Sequence, residues 1–435
     1  MKTAVLVAPY FAPSSMPPAL RMGLFARHLP EFGWHPIVLT TEAGFLEGPM
    51  DHENQRLLPE GLEVIRTRAL QAAIARRIGF SDLGIRGLPY QWSALASLCK
   101  RHRPDAVFIS VPPNPTMTLG RLAFQRFRIP YVVDYQDPWV IEDYWKMPRS
   151  QRPPKWALAY ALSRFLEPFA IKHVSHITGV SRGTTDSVIA RYARFTQDDT
   201  TEIPFGAEPA EFDYLRLHPR PNPIFNQADG LFHLSYVGVC NSAMYETLRA
   251  VLRAVRLGLD REPGTFSRLR LHFVGTSYAP GDGQNVQVLP LAAETGLPGI
   301  LTERPQRLDY LDALQVLLDS SALLLVGSNA PHYTASKVFP SILSRRPILA
   351  VFHQSSSVVK ILRDIRAGAV ACFDERNPPL TQIETIYGQL ASLLAAPSRA
   401  EAATDWSAFE QYTARAMTAR LAQVLDRAVT ANPTQ

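Results

Sequence analysis

The stretch Ser336-Lys337-Val338-Phe339-Pro340-Ser341-Ile342-Leu343-Ser344-Arg345-Arg346-Pro347-Ile348-Leu349-Ala350 decides how this chain is read. Just before it, Ala322-Leu323-Leu324-Leu325-Val326 is an apolar run short enough for a buried strand. Ser328 and Asn329 follow, then a loop, and Ser336 with Lys337 stand where a short helix should begin. Pro347 stops that helix, and Ile348 to Phe352 reads as the next strand. Strand, loop, helix, strand is a parallel α/β unit with a hydroxyl and a cation at the N-terminal mouth of its helix. Unpaired N–H groups and the positive end of the helix dipole collect there, so a phosphate, as in a nucleoside diphosphate, is the natural ligand.

Working outward, the same alternation recurs. In the first half, strand candidates are Ala4–Ala8, Pro36–Thr40, Leu62–Arg66, Ala106–Ser110, Tyr131–Asp134 and Ile177–Val180, separated by runs with helical spacing. A second series begins with Leu234–Val237 and Leu269–Val274 and continues through Val286–Leu289, the opening segment and Val370–Phe373. Residues 207–230 break the pattern with prolines, charges and no sustained period, as an interdomain linker would. The expectation is an α/β chain with two Rossmann-like domains, 1–206 and 231–404, facing across a cleft at the C-terminal edges of their sheets. Residues 405–435 carry a final helical pattern, Phe409–Val429, placed to cross back to the N-terminal domain.

Composition narrows the function. With 435 residues the chain exceeds one ordinary core. Its net charge is +6, but basic and acidic residues are mixed along it, without the clustered basic stripe of a nucleic-acid binder. Nucleotide diphosphates or an acidic membrane surface fit that balance better. The three cysteines, Cys99, Cys240 and Cys372, have no metal-ligand spacing, and a reducing cytoplasm is the expected setting. No stretch approaches the ~20 apolar residues of a membrane span. The segment from Glu142 to Trp156 mixes cations with aromatics, which suits a solvated loop or a dock at a membrane surface for a lipid-linked acceptor.

Two turns carry the nucleotide question. Neither Pro9–Pro18 nor Gly238-Val239-Cys240-Asn241-Ser242 holds the G-x-G-x-x-G of dinucleotide enzymes, so a nicotinamide or flavin cofactor is disfavoured. Gly238 permits close backbone approach to phosphate, and Asn241 is a candidate donor to it. Asp137, just past a strand end, is placed to deprotonate an acceptor hydroxyl, or else to cap the turn. With Asp134 it does not form the D-x-D of metal-dependent sugar transfer, and no obligatory metal is expected.

Val5-Leu6-Val7-Ala8-Pro9-Tyr10-Phe11-Ala12-Pro13, Gly33-Trp34-His35-Pro36-Ile37-Val38-Leu39-Thr40-Thr41, Val133-Asp134-Tyr135-Gln136-Asp137-Pro138-Trp139, Gly179-Val180-Ser181, Ile203-Pro204-Phe205-Gly206-Ala207-Glu208 and the opening segment occur in an order that resembles the nucleotide-sugar glycosyltransferases of the two-Rossmann (GT-B) fold, bacterial family 4-like. The resemblance runs from the first strand to about Ala350. It implies a UDP- or GDP-linked sugar donor as substrate and no separate cofactor. The donor would be held by Gly238, Asn241, Arg304, His332, Ser336, Lys337 and Val338, and the acceptor near Ser14, Ser15, Arg21 and Asp134. Asp137 and Lys337 would carry the chemistry, the lysine by neutralising the departing diphosphate. Domain closure would exclude water.

The chain departs from the family at five points. His332 and Pro340 stand where members often carry a pair of glutamates, Arg345 where a glycine ends the helix, Ser14-Ser15 where a glycine pair occurs, and Phe205 where an asparagine is usual. Two other readings stay open at this stage: a non-catalytic nucleotide-sugar binder or scaffold, and a GT-B nucleotide-sugar epimerase.

Overall fold

The structure is a computed structural model describing residues 1–77, 81–145, 149, 152, 156–277, 286–297, 299–329, 335–396 and 401–431. The chain divides into two compact units, Met1–Phe205 with Ala414–Gln435, and Gly206–Thr413.

The first unit is built on seven parallel strands: β1 (Lys2–Val7), β2 (Trp34–Thr41), β3 (Glu63–Thr67), β4 (Ala106–Val111), β5 (Tyr131–Tyr135), β6 (His176–Gly179) and β7 (Thr200–Glu202). Their order is β3-β2-β1-β4-β5-β6-β7. All six residues of β4 and all five of β5 are buried, as a sheet covered on both faces requires. One face packs Leu95, Leu98, Met117 and Leu119 against Val107 and Ile109. The other packs Met22 and Phe25 together with Met417, Leu421, Val424 and Leu425. Those last four belong to the helix Ala414–Thr430, so the C-terminal helix completes the core of the first unit.

The second unit has six parallel strands: β8 (Phe232–Val237), β9 (Leu269–Val274), β10 (Leu301–Arg304), β11 (Ala322–Val326), β12 (Ile348–His353) and β13 (Ala369–Phe373), ordered β10-β9-β8-β11-β12-β13. The run Val286–Leu289 leads into the short helix Leu289–Glu294, and the strand beside β9 comes instead from Leu301–Arg304. That strand is short, polar and at the sheet edge, where no apolar run is needed.

Residues 207–230 are not an unstructured linker. Pro209–Leu217 is a helix with Glu208 as its cap and Pro209 in its first turn, where a missing N–H costs nothing. Tyr310 donates to Glu211 at 2.8 Å and Arg220 pairs with Asp312 at 2.6 Å, so this segment is bound into the second unit. The helix Val338–Leu343 ends at Arg345, whose φ of +63° is the left-handed turn that a glycine takes without strain.

Candidate functional site

In the second unit the chain runs from β8 out to β9 on one side and from β11 out to β12 on the other. The β8/β11 gap is therefore a topological switch point, and ligands of open α/β sheets bind beyond the strand ends there. Lys337 occupies it. Its ammonium donates to the Tyr236 hydroxyl and lies 4.0 Å from the centroid of the same ring. Tyr236 in turn donates to the Val239 carbonyl at 2.8 Å, which fixes the phenol over the β8 turn.

Gly238 explains how the lysine reaches this place. Its φ is +148°, and a Cβ there would stand 2.6 Å from Lys337 Nζ and 2.9 Å from Cε. A side chain there would push the end of the lysine aside, and the positive φ strains any residue but glycine. The close approach inferred at Gly238 is thus made first by a protein side chain. Among the described residues no carboxylate pairs with Lys337. Burial holds its pKa down at about 8, with Cys240 opposing the shift and Arg307 adding to it. A cation at a sheet's switch point, with no carboxylate partner among the described residues, has the chemistry to receive an anion.

The other expected donor residues divide. Ser336, beside Lys337, is half-buried, at the turn entering the helix Val338–Leu343. Val338 is fully buried and its N–H closes a turn onto the Ala335 carbonyl at 3.1 Å, so it supports the turn and faces no ligand. Asn241 is exposed; its carbonyl accepts from the Ala243 N–H at 3.0 Å, and its amide nitrogen has no partner among the described residues. Arg304 is exposed at the C-terminal end of β10. His332 lies outside the described residues.

Three contributors escaped the sequence reading or were undervalued by it. Tyr236 and Cys240 frame the lysine, and the only signal for them was proximity to Gly238. Glu303 accepts from Thr276 Oγ1 at 2.6 Å and from the N–H groups of Gln287, Val288 and Leu289 at 2.8, 2.9 and 2.9 Å. It ties the loop after β9 to the start of the next helix, and so shapes the wall beside the switch point. A cavity of about 670 Å³ bounded by Asn222–Ala228 lies elsewhere in this unit, next to His233 near the start of β8, and holds none of these residues.

In the first unit two expectations need correction. Arg21 and Asp134 do not face a ligand. Arg21 Nε and Nη2 donate to the two Asp134 oxygens at 2.9 Å each, and the guanidinium also donates to the Pro204 and Ile203 carbonyls at 2.7 Å. Ser110 and Thr178 donate to the same carboxylate at 2.9 and 2.8 Å. Both partners are buried, so the ion pair is internal and pins the helix Pro17–His28 to β4, β5 and β6. Ser14 and Ser15 are buried as well. Ser14 bonds back to Phe11 and Ser15 donates to Pro49, holding the proline loop to the segment around Met50.

Asp137 is different. It stands exposed beyond the end of β5 and has no hydrogen-bond or ion-pair partner among the described residues. The protein mass around it still desolvates the carboxyl, raising its pKa above the usual carboxylate range.

Residues 18–206 match the model of the glycosyl transferase 4-like domain. Among solved structures, the chain is similar to Anabaena Alr3699/HepE, determined in complex with UDP and glucose, with a TM-score of 0.60, 12% identity, and 98% of this chain and 100% of that one covered. Sucrose-phosphate synthase from Thermosynechococcus elongatus gives a TM-score of 0.64 at 13% identity, covering 99% and 100%. A UDP-forming α,α-trehalose-phosphate synthase from Burkholderia xenovorans gives 0.63 at 13% identity, covering 98% and 99%. At these identities the likeness is one of fold. No curated protein matches the sequence. The two Rossmann-like sheets and the solved structures define the class of fold, GT-B, and residues 18–206 match a glycosyl transferase 4-like domain.

Proposed function

We propose that this enzyme moves a sugar from a UDP- or GDP-linked donor to an acceptor hydroxyl during assembly of a surface polysaccharide, a glycolipid or a natural product. The observation that carries the donor half is the uncompensated ammonium of Lys337 at the β8/β11 switch point. A diphosphate supplies the missing negative charge. As the glycosidic bond lengthens, charge builds on the leaving diphosphate, and a fixed ammonium stabilises that state more than the ground state. Ser336 supplies a hydroxyl beside it. The UDP present in the Anabaena neighbour supports a uridine nucleotide as the first donor to test.

Asp137 is the proposed base, with its raised pKa matched to taking a proton from a hydroxyl. The acceptor is proposed to be a glycan, a lipid-linked molecule or a small molecule, used in the cytoplasm at the inner face of the membrane. Among the described residues no helix is long and apolar enough to cross a membrane. The non-catalytic and epimerase readings have weaker support, because the matched domain is that of a glycosyl transferase.

A thermal-shift panel of nucleotide sugars, followed by donor consumption with and without EDTA, tests the proposal. A nucleotide that stabilises the wild type but not Lys337→Met, with EDTA-insensitive turnover, is the expected outcome. Binding without turnover under every acceptor tried would favour the non-catalytic reading. An isomerised nucleotide sugar formed without acceptor would favour the epimerase.

A further inference from the structure

The helix Trp156–Ile171 is turned the wrong way round for a surface helix. Its buried positions include the polar Ser163 and Glu167, whereas Leu158, Phe165 and Phe169 are 57%, 74% and 38% exposed. The spacing 158, 162, 165, 169 places Leu158, Leu162, Phe165 and Phe169 on one stripe of the helix. A stripe of this kind ordinarily faces a core. Here the orientation is locked by Glu167, which accepts from Tyr135 Oη at 3.2 Å and Tyr192 Oη at 2.8 Å and lies 3.3 Å from Arg191 Nε. Ser163 and Glu167, with Ala170 and Ile171, are held on the inner side, so the stripe from Leu158 to Phe169 is left outside.

Cations collect at the C-terminal end of the stripe. The Arg121 guanidinium lies 5.9 Å from the Phe169 ring. Lys172 and His173 follow the helix and are exposed, His173 stacking on Phe124 at 5.1 Å and Arg128 lying 5.6 Å from the same ring. Arg128 and Lys172 pair with no carboxylate among the described residues.

We infer that this face of the first unit docks on an anionic lipid bilayer, with Leu158, Phe165 and Phe169 entering the interface and Arg128 and Lys172 meeting the headgroups. An exposed apolar stripe flanked by unpaired cations is the chemistry such a surface selects. A second copy of the chain is a poorer occupant, because a twofold contact would bring the same cations together. The inference sharpens the membrane-face part of the proposal above and does not use the donor site.

Full-length protein is mixed with large vesicles of phosphatidylglycerol and phosphatidylcholine in equal parts, or of phosphatidylcholine alone, and co-sedimentation is measured at two salt concentrations. The wild type should bind the anionic vesicles and lose affinity as salt rises. Leu158→Gln/Phe165→Gln and, separately, Arg128→Gln/Lys172→Gln should each weaken binding about tenfold or more. If the double apolar variant melts early, Phe165→Ala alone serves, with a smaller loss expected. Absence of binding to anionic vesicles at low salt overturns the inference, as does undiminished binding by the apolar variants. A wild-type dimer that the apolar variant converts to monomer, without vesicle binding, assigns the face to a second copy and also overturns it. UDP binding, followed in parallel, separates this result from failure of the donor assignment.

Discussion

Replacing Lys337 by methionine should weaken nucleotide binding while stabilising the empty protein. The ammonium contributes a charge-assisted contact to the diphosphate worth about 1.5–3 kcal/mol. Losing it should raise the Kd for UDP or GDP roughly 10- to 150-fold. In the empty protein the same ammonium is a burden, since burial holds its pKa at about 8 against the ordinary 10.5. That difference amounts to roughly 3 kcal/mol at most, so Lys337→Met should be more stable at pH 7 by about 1–3 kcal/mol.

The pH dependence carries the sign. Between about 8 and 10.5 the unfolded chain holds the Lys337 proton and the folded one does not, so wild-type stability should rise with pH across that window. Below about 8 both states are protonated and the full cost remains. Binding a diphosphate should restore the charge. At pH 9 the wild type should take up about nine-tenths of a proton on binding, and almost none at pH 6.5. Isothermal titration in buffers of different ionisation enthalpy reads that uptake, and chemical denaturation reads the stability. Equal affinity in Lys337→Met and wild type, within about twofold, would refute the assignment. So would wild-type binding at pH 9 without proton uptake.

Three further outcomes follow from the same geometry. Asp137→Asn should lower kcat by about 10²–10⁴-fold with little change in melting temperature, because the carboxylate has no partner to lose; an unchanged kcat removes it as the base. Wild-type activity should fall as pH drops through the raised Asp137 pKa, since the base form is lost there. Asp134→Ala should cost about 3–5 kcal/mol of stability by leaving Arg21 buried without its counter-ion; a variant that melts normally yet loses activity would return Asp134 to the ligand site. Leu421→Ala, a fully buried change in the C-terminal helix, should destabilise the first unit by about 2–5 kcal/mol in denaturant titration, and a loss under about 1 kcal/mol would contradict the packing described.

Much of this protein was legible in one dimension. The strand Ala322–Val326 has the bounds that its apolar run predicts, because a parallel strand buried on both faces needs an unbroken hydrophobic stretch, and Leu269–Val274 also has its expected bounds although Arg270 and His272 interrupt its apolar residues. The short helix that begins after Lys337 is equally local, its start read from the polar residues Ser336 and Lys337 and its end from Pro347. What periodicity could not show is which partner a polar side chain finds. Arg21 and Asp134 lie 113 residues apart and become a buried pair only when the helix Pro17–His28 crosses β5. The helix at Pro209–Leu217 was hidden by Pro209 and the prolines that follow it, and β10 by its charges, since both are held by neighbours rather than by their own composition.

The sequence by itself determined the two-sheet architecture and placed Lys337 at a helix start and Asp137 just past a strand end, leaving the role of Asp137 open between base and turn cap. The tertiary structure alone decided that Gly238 clears a path for that lysine, that Tyr236 positions it, and that Arg21, Asp134, Ser14 and Ser15 belong to the scaffold. It alone decided, too, that the stripe from Leu158 to Phe169 faces outward. Hydrophobic period reports that a face exists. Only the long-range contacts of Glu167 report which way it is turned.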